Sequence, residues 1–176
     1  MLRGGALNLL AEARAAMQSC GGGWLSPTHA QTLRKRFQLT PETLARELIP
    51  LAQQLARPLL SHFAVGCVAI GDSGAFYLGA NFELPGGDLR EAIHAEQTAV
   101  VQASTHDERG IHFLAVSAPP CGGCRQFLNE LASSDRLQVQ WPDHPAQQLD
   151  ALLPFRFGPA NLGNSKRRTW SPTPLI

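Results

Sequence analysis

The sequence predicts an α/β protein in which helices cover a mixed central sheet. Two apolar runs, at 63–70 and 75–81, are joined by a tight turn, as expected of two buried strands. Downstream, segments of helical composition alternate with two further apolar segments, which gives the order β-β-α-β-α-β-α along the chain. The 176 residues suit one domain with a hydrophobic core rather than two full domains.

The first part of the chain, residues 1–38, is predicted to be a helical region that precedes the main domain. Residues 2–18 are rich in Ala and Leu with scattered charges, which favours an amphipathic helix. The main domain opens with a second helix at Thr40, whose hydroxyl caps the helix while Pro41 occupies its first position.

The elements after the hairpin follow from composition and from apolar alternation. In order they are a helix at 91–104, a strand at 112–118, a helix at 121–132, a strand at 137–141 and a short helix at 146–153. Together with the hairpin and the helix at Thr40, they make up one domain over residues 39–159. The last residues, 160–176, contain Lys166-Arg167-Arg168 and two prolines, so we predict a poorly ordered tail there.

Composition narrows the classes of function. A formal net charge of +1 gives no overall field that would hold nucleic acid or an anionic membrane, and a small neutral substrate fits better. No apolar run approaches the roughly 18 residues of a membrane helix, and the N-terminus lacks the pattern of a secretory signal. The four cysteines do not suggest a disulfide framework in a chain of this kind. We therefore expect a soluble, cytoplasmic protein.

The chemistry-bearing residues are concentrated in two stretches, His94-Ala-Glu-Gln97 and Pro120-Cys-Gly-Gly-Cys-Arg-Gln126. Zinc prefers tetrahedral sites of imidazole and thiolate, and a catalytic zinc site keeps one position open for water. His94, Cys121 and Cys124 supply three such ligands and leave the fourth position open. Two thiolates cancel the double charge of the metal, and the neutral imidazole adds none. The resulting centre is roughly neutral and can lower the pKa of a bound water towards neutrality.

Glu96 follows His94 by two residues, near enough to take a proton from that water without being a ligand. The H-x-E and P-C-x-x-C pattern is that of zinc-dependent base deaminases. The coarse secondary structure also places both stretches at helix N-termini, which direct N–H groups towards the metal. Helix N-termini lower thiol pKa values, and so does a bound metal, so we expect Cys121 and Cys124 to be thiolates at neutral pH.

The chain resembles the cytidine deaminases, and more closely the long bacterial and plant type with His-Cys-Cys ligation than the short type with three cysteines. Four blocks in order carry the resemblance, which covers roughly Leu39 to Pro159. They are Phe63-Ala-Val-Gly66, Gly79-Ala-Asn-Phe-Glu83, His94-Ala-Glu-Gln97 and Pro120-Cys-Gly-Gly-Cys-Arg-Gln126. The resemblance implies a three-layer α-β-α cytidine-deaminase-like fold. The second, degenerate domain of the long type is expected to be absent, leaving the catalytic domain over residues 39–159.

The resemblance also implies a reaction, the hydrolytic deamination of cytidine and deoxycytidine to uridine and deoxyuridine in pyrimidine salvage. A zinc-bound hydroxide would attack C4 while Glu96 shuttles protons, with one Zn²⁺ in each subunit of a homo-oligomer, a dimer being favoured. The implied metal ligands are His94, Cys121 and Cys124, and the implied substrate-binding residues are Phe63, Asn81, Phe82 and Glu83. Asn81 and Glu83 are two apart on an extended segment, so they can face one side and hold the ribose hydroxyls.

Two other functions stay open at this point. The first is a catalytically impaired, structural zinc domain, although structural sites usually have four protein ligands. The second is deamination of a base in single-stranded nucleic acid, which requires basic channels and stacked aromatic residues that this sequence does not supply outside its tail. Two interpretations also stay open for Gln97. Its side chain either contacts a metal ligand without binding the metal or lies on the exposed surface of a helix.

Overall fold

The structure is a computed structural model that describes residues 2–163. The helices are α1 (Leu2–Ser19), α2 (Pro27–Phe37), α3 (Pro41–Gln53), α4 (Ala95–Ser104), α5 (Gly122–Asn129) and α6 (Leu149–Leu152). The strands are β1 (Trp24–Leu25), β2 (Gly66–Gly71), β3 (Phe76–Ala80), β4 (Ile111–Val116), β5 (Gln138–Gln140) and β6 (Gln147–Gln148). The predicted poorly ordered tail lies outside the described residues, apart from its start in the 3₁₀ turn Pro159–Leu162.

The six strands form one mixed sheet in the order β1-β3-β2-β4-β5-β6. Strands β2 and β3 are the predicted hairpin, with Cys67 opposite Gly79 and Ile70 opposite Phe76. Strand β4 is antiparallel to β2 and parallel to β5, because α5 crosses over between β4 and β5. The predicted mixed sheet is therefore confirmed.

Successive residues of the hairpin face opposite sides of the sheet, and each side is covered by its own helices. Val68, Ile70 and Phe76 belong to one buried cluster, which also holds the apolar faces of α1, α2 and α3. Cys67 and Ala69 belong to a second cluster, on the side of α4 and α5. Both strands are buried along their whole length, which makes the fold three layers deep, as predicted.

The predicted helices at 2–18 and from Thr40 are confirmed. The Thr40 hydroxyl accepts a hydrogen bond from the Thr43 N–H at 3.2 Å, so it caps α3. Helix α2 was not predicted as a separate element, although the sequence carries the signal for it. Ser26 precedes Pro27 and caps the helix by accepting from the His29 N–H at 3.3 Å.

The predicted start of the helix at residue 91 is wrong, because α4 begins only at Ala95. The 3₁₀ turn Leu89–Glu91 ends before it, and Ile93 exchanges two backbone hydrogen bonds with Phe82. The intervening residues are therefore held in an extended conformation. The chain therefore runs directly from the residue paired with Phe82 into His94, which is the N-cap residue of α4.

Other boundaries also differ, and α5 for example ends at Asn129 rather than at residue 132. Strand β2 begins at Gly66 rather than at residue 63, because the Val65 N–H and both backbone groups of Phe63 bond to the side chains of Asn81 and Ser61 instead of to a neighbouring strand. The predicted helix at 146–153 shortens to α6, since β6 pairs with β5 immediately before it. Among the described residues, no helix is long and apolar enough to cross a membrane.

Candidate active site

Helix α4 is seated directly on strand β3, and this contact places its N-terminus at the edge of the hairpin. A Cβ atom at Gly79 would lie 2.1 Å from the Ala95 carbonyl oxygen, so only glycine permits the approach. The Thr98 hydroxyl accepts from the Ala80 N–H at 2.8 Å and is within 2.9 Å of the Ala80 carbonyl oxygen. The first turn of α4 is therefore tied to the end of β3.

His94 and Cys121 are the N-cap residues of α4 and α5, so the two helix N-termini meet at one place, as predicted. The Cys121 sulfur accepts a hydrogen bond from the Cys124 N–H at 3.4 Å. The Gln97 side-chain oxygen accepts from the His94 N–H at 2.8 Å. Of the two roles left open for Gln97, the structure places it behind the predicted ligand His94.

The ligand atoms of His94, Cys121 and Cys124 all lie within 4.8 Å of one another, in a group that could hold a metal ion. The His94 Nδ1 is 3.4 Å from the Cys121 sulfur and 3.3 Å from the Cys124 sulfur. A tetrahedral zinc centre with ordinary bond lengths separates a nitrogen ligand and a sulfur ligand by about 3.6 Å. Both the donor set and its spacing therefore fit zinc.

The Glu96 side chain is 3% exposed, and it lines the same cavity as His94 and Cys121. Burial raises the pKa of its carboxyl group, while hydrogen bonding from Cys124 and the charge of His94 act in the opposite direction. A carboxyl group with a raised pKa exchanges protons more readily near neutral pH. These properties suit the predicted acid and base.

The Cys124 thiol differs from the expectation that a helix N-terminus would lower its pKa. Burial raises the pKa of Cys124, and the charges of Glu96 and Cys121 raise it further. These effects outweigh the helix N-terminus because the sulfur is almost fully buried beside a carboxylate. A thiolate at Cys124 therefore requires a cation beside it, as a metal ligand does.

A cavity of about 360 Å³ opens beside these groups. Among the described residues, it is lined by Ser61, Phe63, Val65, Asn81, Glu83, Leu89, Ala92, His94, Ala95, Glu96, Ala118, Pro119 and Cys121. Its ionisable lining includes two carboxyl groups and no lysine or arginine among the residues that the structure describes. Such a wall disfavours a phosphorylated ligand.

Three of the four predicted substrate-binding residues line this cavity. Asn81 and Glu83 lie on one wall, and Phe63, which is 58% exposed, stands at the opening. Phe82 is not among the described residues of the lining, because its backbone pairs with Ile93 while its neighbours on either side face the cavity.

Asn81 and Glu83 are not free side chains projecting into the space. The Asn81 amide accepts from the Val65 N–H at 2.8 Å and donates to the Phe63 carbonyl oxygen at 3.0 Å. Glu83 accepts from the backbone N–H groups of Leu60 and Ser61 at 2.6 and 2.9 Å. Both residues therefore fix the segment at 60–65 that forms the opposite wall.

Sequence reasoning missed Ser61 and Arg125. The Ser61 hydroxyl donates to Glu83 at 2.5 Å, and Ser61 itself lines the cavity. Arg125 donates to the carbonyl oxygens of Pro120 at 2.9 Å and Leu152 at 3.1 Å, which ties the loop before Cys121 to the end of α6. The contacts of Ser61 with Glu83 and of Arg125 with Leu152 have no signal in the local sequence, because each joins segments that are distant along the chain.

Comparison with known protein families gives one match, the cytidine and deoxycytidylate deaminase zinc-binding region, over residues 40–139. This is more than half of the chain, and it contains all three predicted zinc ligands. The name of the region and the donor set found here agree, so the predicted Zn²⁺ cofactor is confirmed.

Among curated proteins, the chain is similar to the cytidine deaminases of Haemophilus influenzae (strain PittEE) and Shewanella pealeana. It is 41% identical to the first over 140 residues, which are 80% of this chain and 48% of that protein. It is 46% identical to the second over 140 residues, which are 80% of this chain and 47% of that protein. The chain thus spans about half the length of the curated relatives it matches.

Solved structures give the same likeness. The cytidine deaminase from Mycobacterium tuberculosis aligns with a TM-score of 0.59 at 29% identity, covering 65% of this chain and 95% of that one. The cytidine deaminase from Burkholderia pseudomallei aligns with a TM-score of 0.57 at 26% identity, covering 64% and 96%. The α/β sheet with its flanking helices is therefore a fold that these enzymes share.

Proposed function

We propose a reaction for this chain from one premise, that it belongs to the family of cytidine and deoxycytidylate deaminases with a zinc-binding region. The reaction is the hydrolytic removal of the 4-amino group of cytidine and deoxycytidine, which yields uridine or deoxyuridine and ammonia. One observation carries the proposal. A buried carboxyl group, Glu96, lines one cavity together with His94 and Cys121, and the Cys124 sulfur lies within 4.8 Å of the ligand atoms of both donors.

His94, Cys121 and Cys124 would hold one Zn²⁺ per subunit at the base of this cavity. The metal supplies Lewis acidity, which lowers the pKa of a water molecule and activates it for attack. Gln97 keeps His94 in place through the backbone, so the imidazole presents its Nδ1 to the two sulfurs. Among the described residues the group has three ligands, which would leave a fourth position open for water, whereas a structural site is closed by four protein ligands.

Glu96 moves the protons in the proposed reaction. Its carboxylate accepts a proton from the attacking water and gives it to N3 of the pyrimidine. It then passes the second proton of the water to the 4-amino group, which leaves as ammonia when the bond to C4 breaks. The raised pKa of Glu96 supports both roles, because the group must hold and release protons near neutral pH.

The rest of the cavity supports a nucleoside as the substrate. Asn81 and Glu83 would bind the ribose hydroxyls, and Phe63 would stack on the pyrimidine. We include Phe82 among the proposed substrate-binding residues because it lies between Asn81 and Glu83 and its backbone pairs with Ile93, which holds this wall in place. The two carboxyl groups in the lining favour a neutral nucleoside over a nucleotide or a nucleic acid strand, and this choice fits a role in pyrimidine salvage.

We also propose that the protein is a cytoplasmic homodimer. Seven exposed apolar side chains lie on the three segments that also carry residues of the cavity lining, and we call them the apolar rim, namely Leu59, Leu60, Phe63, Phe82, Leu84, Leu89 and Ile93. Their segments are joined by the backbone pairing of Phe82 with Arg57 and Ile93. Exposed apolar side chains grouped on paired segments support contact with a second copy of the chain. A reducing cytoplasm would keep the thiols of Cys121 and Cys124 available for metal.

An assay of the zinc-loaded protein with cytidine tests the reaction. Turnover is followed by the loss of absorbance of the aminopyrimidine and by the release of ammonia. We expect cytidine and deoxycytidine to be converted, and deoxycytidine monophosphate to be converted at least tenfold less efficiently. Folded, metal-loaded protein without turnover of either nucleoside would overturn the proposal.

The variant Glu96→Gln separates an enzyme from a structural zinc domain. For an enzyme we expect unchanged zinc content, measured by metal analysis, and a kcat reduced by a factor of about 10² to 10⁴, because proton transfer is lost. Glu91→Gln is the matched control, since Glu91 lies on the 3₁₀ turn before α4 and does not line the cavity. Equal activities of the two variants would contradict the role of Glu96.

A further inference from the structure

The hydroxyl group of Ser61 lies between two of the residues that would bind the nucleoside. It donates a hydrogen bond to Oε1 of Glu83 at 2.5 Å and accepts one from the Phe63 N–H at 3.1 Å. The Ser61 N–H donates to the other carboxylate oxygen of Glu83 at 2.9 Å. Ser61 thus donates to the Glu83 carboxylate on one wall and accepts from the backbone of its own segment, which forms the facing wall.

We propose that Ser61 is a positioning residue of the nucleoside site, which joins the ribose-binding carboxylate of Glu83 to the segment that carries Phe63. The inference rests on the proposed function for the identity of its substrate. The bridge that Ser61 forms between the two walls of the cavity is given by the contacts of the described residues, and it does not depend on which substrate binds.

The geometry of the segment shows why a bridge is needed here. His62 adopts a left-handed backbone conformation with φ of 55°, which residues other than glycine rarely adopt. This turn exposes Phe63 at the opening of the cavity, where it makes little packing contact of its own. The segment must therefore be held by hydrogen bonds, and Ser61 supplies them on both sides of the turn.

The same contacts determine the state of the carboxylate. Glu83 is 2% exposed, and the hydrogen bonds from the Ser61 hydroxyl, then from the Ser61 and Leu60 backbones, lower its pKa. An ionised carboxylate is the stronger acceptor for a ribose hydroxyl. Without the Ser61 hydroxyl, Oε1 would lose this partner and the Phe63 N–H would lose its acceptor.

The chain contains a matched control at the other end of the hairpin. The Ser73 hydroxyl donates to the buried carboxylate of Glu108 and accepts from the Ala75 N–H at 3.2 Å. The pattern is the same as at Ser61, a carboxylate on one side and the N–H two residues later on the other. Ser73 and Glu108 are not among the described residues that line the cavity.

Steady-state kinetics with cytidine test the inference. We expect Ser61→Ala to raise KM about tenfold and to change kcat less than threefold, as for loss of a hydrogen bond to a charged group that orients the substrate. Ser61→Thr keeps a hydroxyl and should restore KM to within about threefold, and Ser73→Ala should leave KM unchanged. Adding Ser61→Ala to Glu83→Gln should raise KM by clearly less than the tenfold expected in the wild-type background, because part of the effect of Ser61 passes through Glu83. An unchanged KM in Ser61→Ala, or fully additive effects in the double variant, would overturn the inference.

Amide hydrogen exchange of the protein without nucleoside gives a readout that needs no turnover. Ser61→Ala should speed exchange in the segment at 60–65 by about tenfold, while Ser61→Thr should not and Ser73→Ala should leave that segment unchanged. Faster exchange in a protein that does not deaminate cytidine would refute the proposed function and keep the bridge. Unchanged exchange in Ser61→Ala would refute the bridge whatever the activity.

Discussion

Gln97 is expected to affect zinc binding through its contact with His94, without being a ligand itself. Its side-chain oxygen accepts from the His94 N–H at 2.8 Å and fixes the first residue of the ligand set. We expect Gln97→Ala to weaken zinc binding by about tenfold, as for other residues that orient metal ligands. Gln97→Glu keeps an acceptor oxygen and is the control, with affinity expected to stay within about threefold. Competition with a chromogenic chelator measures both, and equal affinities of Gln97→Ala and the wild type would contradict the prediction.

Asp72 gives a prediction for the effect of pH on stability. Hydrogen bonding from Arg136 lowers the pKa of Asp72 from its ordinary 3.8, and the charges of Arg136 and His112 act in the same direction. A lowered pKa in the folded state stabilises the fold above pH 3.8, and this contribution is lost as the pH falls through the folded value. Because both partners are partly exposed, the contribution is about 1 kcal/mol at most.

Asp72→Asn should therefore lower the free energy of unfolding by about 0.5 to 1 kcal/mol at neutral pH, with the difference shrinking as the pH falls below 3.8. Urea denaturation over a series of pH values measures it. The double variant Asp72→Asn with Arg136→Gln should be no less stable than Asp72→Asn alone, since the pair is already broken. A difference that grows as the pH falls would contradict this account.

The close grouping of the candidate zinc ligands with Glu96 could be predicted from the sequence because their spacing is local. His94 and Glu96 are two apart and Cys121 and Cys124 are three apart, so one helix start fixes each pair. Ser61 could not be predicted in this way. Its role depends on Glu83, which is 22 residues away and reaches it only through the path of the loop.

Among the contacts between elements, the contact of α4 with β3 matters most for the site, because it sets the position of His94 and Glu96. Gly79→Ala should destabilise the protein by about 3 kcal/mol, since the new methyl group would lie 2.1 Å from the Ala95 carbonyl oxygen and 2.3 Å from the Ala99 nitrogen. Gly122→Ala is the control, because a Cβ there meets no atom within 4 Å. Urea denaturation of both variants measures the difference, and equal stability would show that α4 can shift freely.

The order of the elements was predictable, whereas some of their boundaries were not. Apolar runs predicted β2 and β3 because both strands are buried on both faces of the sheet. The start of α4 was placed four residues too early, since residues 91–94 have helical composition. Tertiary pairing of Ile93 with Phe82 outweighs that preference, and no local pattern reports it.

At the scale of the whole molecule, the fold separates a closed side from an open one. Helices α1, α2 and α3 cover one face of the sheet with a continuous buried cluster. The cavity lies beyond the end of the hairpin, next to the N-termini of α4 and α5, where the apolar rim is left uncovered. A second chain that covered the rim would bury apolar surface next to the cavity and exclude water from it.

The proposed homodimer is tested by introducing charge into this rim. Wild-type protein should have twice the 19.0 kDa mass of one chain in light scattering at micromolar concentration. The double variant Leu59→Glu with Leu84→Glu places two carboxylates in the rim, so we expect it to be a monomer with a higher KM for cytidine. Leu7→Glu with Val101→Glu changes two apolar residues outside the rim that are more exposed than Leu59 and Leu84, and it should leave the mass unchanged. A wild-type protein of 19.0 kDa, or a rim variant that keeps the mass of a dimer, would contradict the proposal, because the second chain is then either absent or bound elsewhere.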